Sequence, residues 1–351
     1  MNEGIPTDKE LPDKGEKNHP AIHALNDAAS ASQRVAELIE RIKESTDKLA
    51  TDHPSRGDLK ILSRTLKELR YAFKVFAPYR RMRKVTVFGS ARTPPDHPTY
   101  RQAVAFGQAM SGHGWFVITG ASSGIMEAAH IGSGRDHAMG LNILLPIEQV
   151  ANSVIAGDPK LVHMKYFFTR KLMFVKETDA ICLLPGGFGT LDEGLEVLTL
   201  LQTGKRDILP MVLLDEPGGD YWTAFQDFVA KRLLDRGMIA AEDLSLYKIT
   251  DSADEAVAEI MRFYRVYHSM RYVRSNLVLR LQSPPTADLL ESITADFADI
   301  LVEGCFKVGP ALPEEHDDPE LAALPRLVFQ FNRRDYGRLR QLIDRINAAE
   351  R

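Results

Sequence analysis

The 351-residue chain has two cysteines, no long apolar run and little excess charge. Cys182 and Cys305 cannot make a disulfide framework, which fits a reducing compartment. No stretch reaches the ~18 apolar residues of a membrane span, and the first residues are polar with no signal-peptide core, so a cytoplasmic protein is expected. The formal net charge of −4 gives no broadly basic surface, arguing against nucleic acid or anionic lipid as partner. His113, His130, His137 and His163 are irregularly spaced, without a His-x-x-x-His or Cys pair. Each is expected on a loop or the surface, and no metal or other cofactor is expected.

What is present is an ordinary globular composition, 44% hydrophobic and 26% charged, with room for about two domains. Residues 1–30 are polar and aperiodic and read as a disordered tail. Residues 31–80 read as a helical arm of two helices, 32–49 and 56–76, with Val35, Leu38, Ile39 and Ile42, then Leu59, Leu62, Leu66 and Leu69, at helical spacing. From 81 to 272 short apolar strands alternate with helices. Strands are expected at 85–88, 115–119, 141–145, 180–184 and 210–214, and helices at 98–112, 124–133, 163–177 and 191–204. This predicts an α/β domain, a Rossmann-like parallel sheet with helices on both faces and ligands at the carboxyl ends of its strands. Residues 273–351 read as a small α+β module of order βαββα, lacking a final strand, with an acidic loop at 310–318. That module is expected to sense a ligand or to serve as a dimerisation appendage.

The stretch Leu183–Glu193 reads strand, glycine turn, helix. Gly186, Gly187 and Gly189 let the backbone approach a ligand closely, and the following helix aims free N–H groups at it, which favours a phosphate. Thr190 adds a hydroxyl donor. Glu193 has two readings at this point: an acid facing a bound sugar, or the far member of a capping box with Thr190.

Pro185-Gly-Gly-Phe-Gly-Thr-Leu-Asp-Glu193 resembles the signature of the Lonely Guy family of nucleotide phosphoribohydrolases, also labelled lysine decarboxylase-like, in a longer bacterial-type form. Arg170-Lys171-Leu172-Met173 resembles its Arg-Lys-x-x-Met helix; Val87–Ser90 and Thr119–Glu127 resemble its first two glycine turns. The resemblance implies a nucleotide N-glycosidase that cleaves a nucleoside 5′-monophosphate to free base and ribose 5-phosphate. Arg170 and Glu193 are then the catalytic pair, and Gly89, Ser90, Gly120, Gly124, Gly186, Gly187, Gly189 and Thr190 bind the nucleotide. It also implies a homodimer or higher homo-oligomer. Chemically the pair is apt: glycosidic cleavage builds positive charge on the ribose, which a carboxylate stabilises, while an arginine holds phosphate or ribose.

Lys171, about 100° round the helix from Arg170, is expected at the surface or a sheet edge. Arg92 is an added candidate for a phosphate. In the second turn Ala121 and Ser122 stand where the family commonly has glycines, and are expected to put side chains at the mouth of the site. The tryptophan common in the helix after the signature is absent, with Thr199-Leu200-Leu201-Gln202 there. Both departures favour an AMP-like purine nucleotide over a cytokinin nucleotide. Without a strand-end lysine in a recognisable motif, pyridoxal-phosphate decarboxylation is not expected. The alternative is a non-hydrolytic nucleotide or cofactor carrier with the same cradle.

Overall fold

A computed structural model of the chain describes residues 20–144, 151–315 and 318–349. It divides into two compact units, 1–56 with 312–322, and 57–311 with 323–351. In the first, helix α1 (Pro20–Lys48) begins inside the stretch expected to be tail. The rest of that expected tail, 1–19, lies outside the described residues. Val35, Leu38, Ile39 and Ile42 of α1 are exposed. Two short 3-10 turns, Pro313–Glu315 and Pro319–Leu321, occupy the acidic stretch.

The second unit takes in α2 (Arg56–Phe76) from its second residue on. There follow β1 (Lys84–Phe88), α3 (Pro98–Gly112), β2 (Phe116–Thr119), α4 (Ile125–His137), β3 (Ala138–Ile143), β4 (Leu161–Met164), α5 (Phe167–Glu177), β5 (Ala180–Leu183), α6 (Phe188–Gln202), β6 (Met211–Leu214), α7 (Tyr221–Phe228), β7 (Lys248–Thr250) and α8 (Ala253–Phe263). The seven strands form a parallel sheet of order β4-β3-β2-β1-β5-β6-β7. Alternate strand residues feed two cores. Val85, Val87, Val117 and Cys182 pack with Phe106 of α3, Ile125 of α4 and Ile260 of α8. Phe88, Ile118, Ile181 and Leu183 pack on the other face with Phe76 of α2, Phe174 of α5 and Leu201 of α6. Each such side chain contributes roughly 1.5–3 kcal/mol by leaving water, which is why the sheet needs helices on both sides. This is the expected α/β class, and α2 has the expected span. Among the described residues no helix is long and apolar enough to cross a membrane.

Local expectations fail where pairing decides. The helix expected from His163 starts at Phe167, and Leu161–Met164 is an edge strand paired with β3. Leu161, Val162 and Met164 are buried while His163 is exposed, an alternation too short to outweigh the helical pattern after it. Of the expected strand 141–145, the start moves back to Ala138, and Leu145 lies outside the described residues. Strand β7 and helices α7 and α8 had no sequence expectation.

The boundary expected at 272/273 cuts through β8 (Tyr267–Val273), which pairs antiparallel with β9 (Asn276–Leu281) across a tight turn with Arg274 at φ 55°. With α9 (Ala287–Asp296), β10 (Lys307–Gly309), β11 (Arg326–Phe329) and α10 (Tyr336–Ala348) the order is ββαββα. The four-stranded sheet, order β10-β11-β9-β8, is complete within one chain, so no strand from a second subunit is required. Asn347 joins it to the first sheet's last helix: its amide donates to the Phe263 carbonyl at 2.6 Å and its oxygen accepts from the Val266 and Tyr267 N–H groups.

Candidate nucleotide site

The strand order reverses between β1 and β5, and there the loops after the two strands part to leave a crevice, the position where doubly wound sheets take ligands. Three turns meet at it. The Ser90 N–H donates to the Pro185 carbonyl at 3.2 Å, tying the first turn to the third, and the Ile125 N–H donates to the Ser90 carbonyl at 3.0 Å, tying in the second. Gly124 sits at φ 66°, ψ −131°, a conformation essentially confined to glycine, and a Cβ there would lie 2.3 Å from the Ser90 oxygen. A Cβ at Gly186 would lie 2.1 Å from Thr190 Oγ1. From behind, the Tyr221 hydroxyl donates to the Gly186 carbonyl at 2.6 Å.

Helix α6 begins at Phe188 with Gly187 as its N-cap, three residues earlier than the apolar spacing suggests, because Leu191 is only the first residue of its buried stripe. The Thr190 and Leu191 N–H groups return to the Gly187 carbonyl, so the Phe188 and Gly189 amides have no partner within the helix. Nothing stands within 4 Å of a Cβ built at Gly187 or Gly189, and both line the cavity with Phe188, so the helix start faces open space where an anion is favoured. The same start rules out the Thr190–Glu193 capping box. Thr190 is the third helical residue, buried against Gly186, and Glu193 lies in the second turn, on the cavity wall.

The cavity has a volume of about 790 Å³. Gly89, Ser90, Gly120, Arg170, Gly186, Gly187, Gly189, Thr190 and Glu193 all line it, as does Arg92; Gly124 stands behind it as the hinge of the second turn. Phe88, Met126, Ile143, Phe167 and Phe174 supply an apolar wall. Glu193 is 4% exposed, and burial pushes its carboxyl up to about 7, against the attraction of Lys171 and Arg170. Arg170 reaches over the rings of Phe167 (5.0 Å) and Phe174 (5.6 Å), and its Nη1 would be 3.7 Å from a Cβ at Gly120. Burial lowers its pKa from the usual arginine value, partly offset by Glu193. Its Nε is buried with no hydrogen-bond partner among the described residues. A half-buried guanidinium and a carboxyl at the edge of ionisation thus share one crevice with an open helix N-terminus.

Three expectations are corrected. Lys171 does not lie free at the surface: its Nζ is 2.7 Å from Glu196, 2.8 Å from Asp192 and 3.7 Å from Glu193. The four-carbon stem bridges from α5 to α6, a reach that the angle round the helix does not register. Ala121 and Ser122 are not at the mouth. Ala121, at φ 58°, is buried with Ala138, Ile155 and Leu161, and the Ser122 carbonyl accepts from the Asn152 amide. His130 is fully buried rather than on a loop or surface; its Nδ1 accepts from Asn152 Nδ2 (3.2 Å) and its Nε2 donates to the Met139 carbonyl (3.0 Å). Burial pushes it down to about 4. With Thr119 Oγ1, which accepts from the Ala121 N–H at 2.9 Å, this network holds the second turn in place of glycine flexibility.

Sequence reasoning also passed over Met126, Phe167 and Tyr221. Met126 and Phe167 lay within the motifs already quoted; Tyr221 carried no local signal.

A family model described as "Possible lysine decarboxylase" matches residues 123–260. One Arabidopsis thaliana cytokinin riboside 5′-monophosphate phosphoribohydrolase is 29% identical over 168 residues, 47% of this chain and 75% of the relative. A second from the same plant is 31% identical over 160 residues, 44% of this chain and 70% of the relative. Among solved structures, the molybdenum cofactor carrier protein of Chlamydomonas reinhardtii aligns at 21% identity and a TM-score of 0.36, covering 51% of this chain and 95% of that one. From the glycine turns, the Arg-Lys-x-x-Met helix and the extent of the match to these phosphoribohydrolases, the chain belongs to the Lonely Guy, lysine decarboxylase-like family.

Proposed function

We propose that the protein hydrolyses the N-glycosidic bond of a nucleoside 5′-monophosphate, with an AMP-like purine nucleotide as preferred substrate, to free base and ribose 5-phosphate. The carrying observation is Glu193, buried with its carboxyl near half-ionised at neutral pH, facing the same cavity as Arg170 and the open amides of α6. The reaction named for the relatives supports the same reading.

The 5′-phosphate sits on the Phe188 and Gly189 amides with Thr190, where the helix dipole favours an anion. Arg170 adds planar donors to phosphate or ribose from the guanidinium it presents to the cavity. The base lies against Met126, Ile143 and Phe167. As the C1′–N bond breaks, positive charge grows on the ribose. Ionised Glu193 stabilises it and takes a proton from the water whose oxygen bonds to C1′, while the base leaves with the electron pair of the broken bond and takes up a proton from solvent; Glu193 then returns its proton to solvent, so the net proton count balances. The apolar wall keeps bulk water out, which strengthens the carboxylate's hold on the developing charge. In this reading the working form is a homodimer or larger assembly, supported by the exposed Phe168, Leu172 and Phe188 beside the cavity.

The test is incubation with AMP, GMP, CMP, UMP and the matching nucleosides, following base and ribose 5-phosphate by chromatography. Base released from monophosphates alone, and lost in Glu193→Gln, is the expected result. Tight nucleotide binding with no base would replace this reading with the carrier.

A further inference from the structure

Arg170 is placed without a tether of its own. No hydrogen bond holds its guanidinium among the described residues; the rings of Phe167 and Phe174 and the undirected attraction of Glu193 are what steer it. Its position therefore depends on where α5 begins. That beginning lacks a local cap: the N-cap, Tyr166, makes no side-chain hydrogen bond. A side chain from a distant segment ties down this end of the helix instead. Glu68 on α2, 5% exposed, accepts from the Lys165 N–H at 2.8 Å and from the Thr169 hydroxyl at 2.8 Å, and is itself held by Arg64 Nε at 2.7 Å. A carboxylate at this end of a helix is also favoured by the helix dipole. Those hydrogen bonds, with Arg64, hold its carboxyl below the ordinary carboxylate range despite burial, so it is charged at neutral pH.

We infer that Glu68 is a positioning residue for substrate binding: by tying the start of α5 to α2 it sets the place of Arg170, next to Thr169, in the cavity. Residue 68 precedes the family-matched segment 123–260, so the helical arm carries a part of the site that the family signature does not contain. A structural staple alone would stabilise α5 wherever Arg170 pointed. The difference lies in Thr169, whose bonded hydroxyl is one residue from the functional arginine and fixes the rotation of the helix as well as its start. This inference rests on the reading that Arg170 holds the phosphate or ribose.

The experiment is a double-mutant cycle on the full chain, with Glu68→Ala, Arg170→Ala and the pair, read as kcat/KM on AMP and, separately, as affinity for ribose 5-phosphate. Thr169→Val, which removes the hydroxyl shared between Glu68 and the Tyr166 carbonyl at nearly constant shape, runs beside it in case Glu68→Ala does not fold. Displacing a positioning group by about 1 Å is expected to cost about 10- to 100-fold in wild type. With Arg170 already removed, the same change should alter the values by no more than about 3-fold. Equal losses in both backgrounds, or no loss in either, would overturn the inference. Wild type that binds ribose 5-phosphate but releases no base would count against the glycosidase alone, and the affinity cycle would still decide the role of Glu68.

Discussion

Lys171 Nζ lies 3.7 Å from Glu193 Oε2 while holding Asp192 and Glu196 at 2.8 and 2.7 Å. One lysine thereby bridges two acids on either side of the proposed catalytic carboxyl and offsets part of their charge. Burial, Glu196 and Asp192 all push the Glu193 carboxyl up, and Lys171 is the largest opposing influence, with Arg170 next. Lys171→Met should therefore raise the pH at which kcat reaches half its maximum above that of wild type, and Lys171→Arg should restore most of the shift. An unmoved profile would show that the lysine only pins α5 to α6. kcat is the quantity to follow, because it reports the bound complex and leaves out titration of free substrate phosphate.

Glu193→Gln should lose turnover and gain stability. A carboxyl raised from 4.5 to about 7 imposes no cost below pH 4.5, where it is protonated folded and unfolded alike. The cost grows between these values and is complete above about 7, where it approaches 3 kcal/mol as an upper bound. Urea midpoints of the variant and wild type should coincide near pH 4.5 and separate in favour of the variant at pH 8. A variant less stable than wild type at pH 8 would contradict the burial cost.

The glycines should divide into two kinds. Gly124→Ala puts a Cβ 2.3 Å from the Ser90 carbonyl in a backbone conformation closed to side chains, and should destabilise the fold by at least about 2 kcal/mol. Gly189→Ala meets nothing within 4 Å, so it should fold normally and weaken nucleotide binding only, by crowding the anion. Equal melting temperatures for the two variants would refute the distinction.

His130 should stay neutral to low pH. A histidine lowered from 6.5 to about 4 supplies stability that is whole above pH 6.5 and lost as pH falls toward 4, about 3 kcal/mol in all. NMR titration of the imidazole nitrogens should find one histidine of fixed tautomer, protonated on Nε2, unchanged from pH 8 to 5.5. Titration of all histidines near 6.5 would mean that the Thr119–His130–Asn152 network is open in solution.

What the sequence determined by itself is what neighbouring residues settle. The alternation of apolar runs was enough for the parallel sheet, and the Pro-Gly-Gly-x-Gly turn was legible because its glycines and the helix start sit within a few residues of one another; the pairing of Arg170 with Glu193 came from the resemblance to the family and not from spacing. Helices α2 and α3 were legible in full for the same reason: helical spacing and end signals are short-range. Tertiary structure alone decided the rest. Leu161–Met164 is a strand because β3 offers it an edge; β8 belongs with β9 because the hairpin closes on it. Lys171 reaches Glu193 only once α5 and α6 lie side by side, and Glu68 meets Thr169 across a separation of 101 residues. His130 is buried because Asn152 and Met139 fold over it. Such pairings carry no periodic signal, since their partners are brought together by the burial of two cores and not by spacing along the chain.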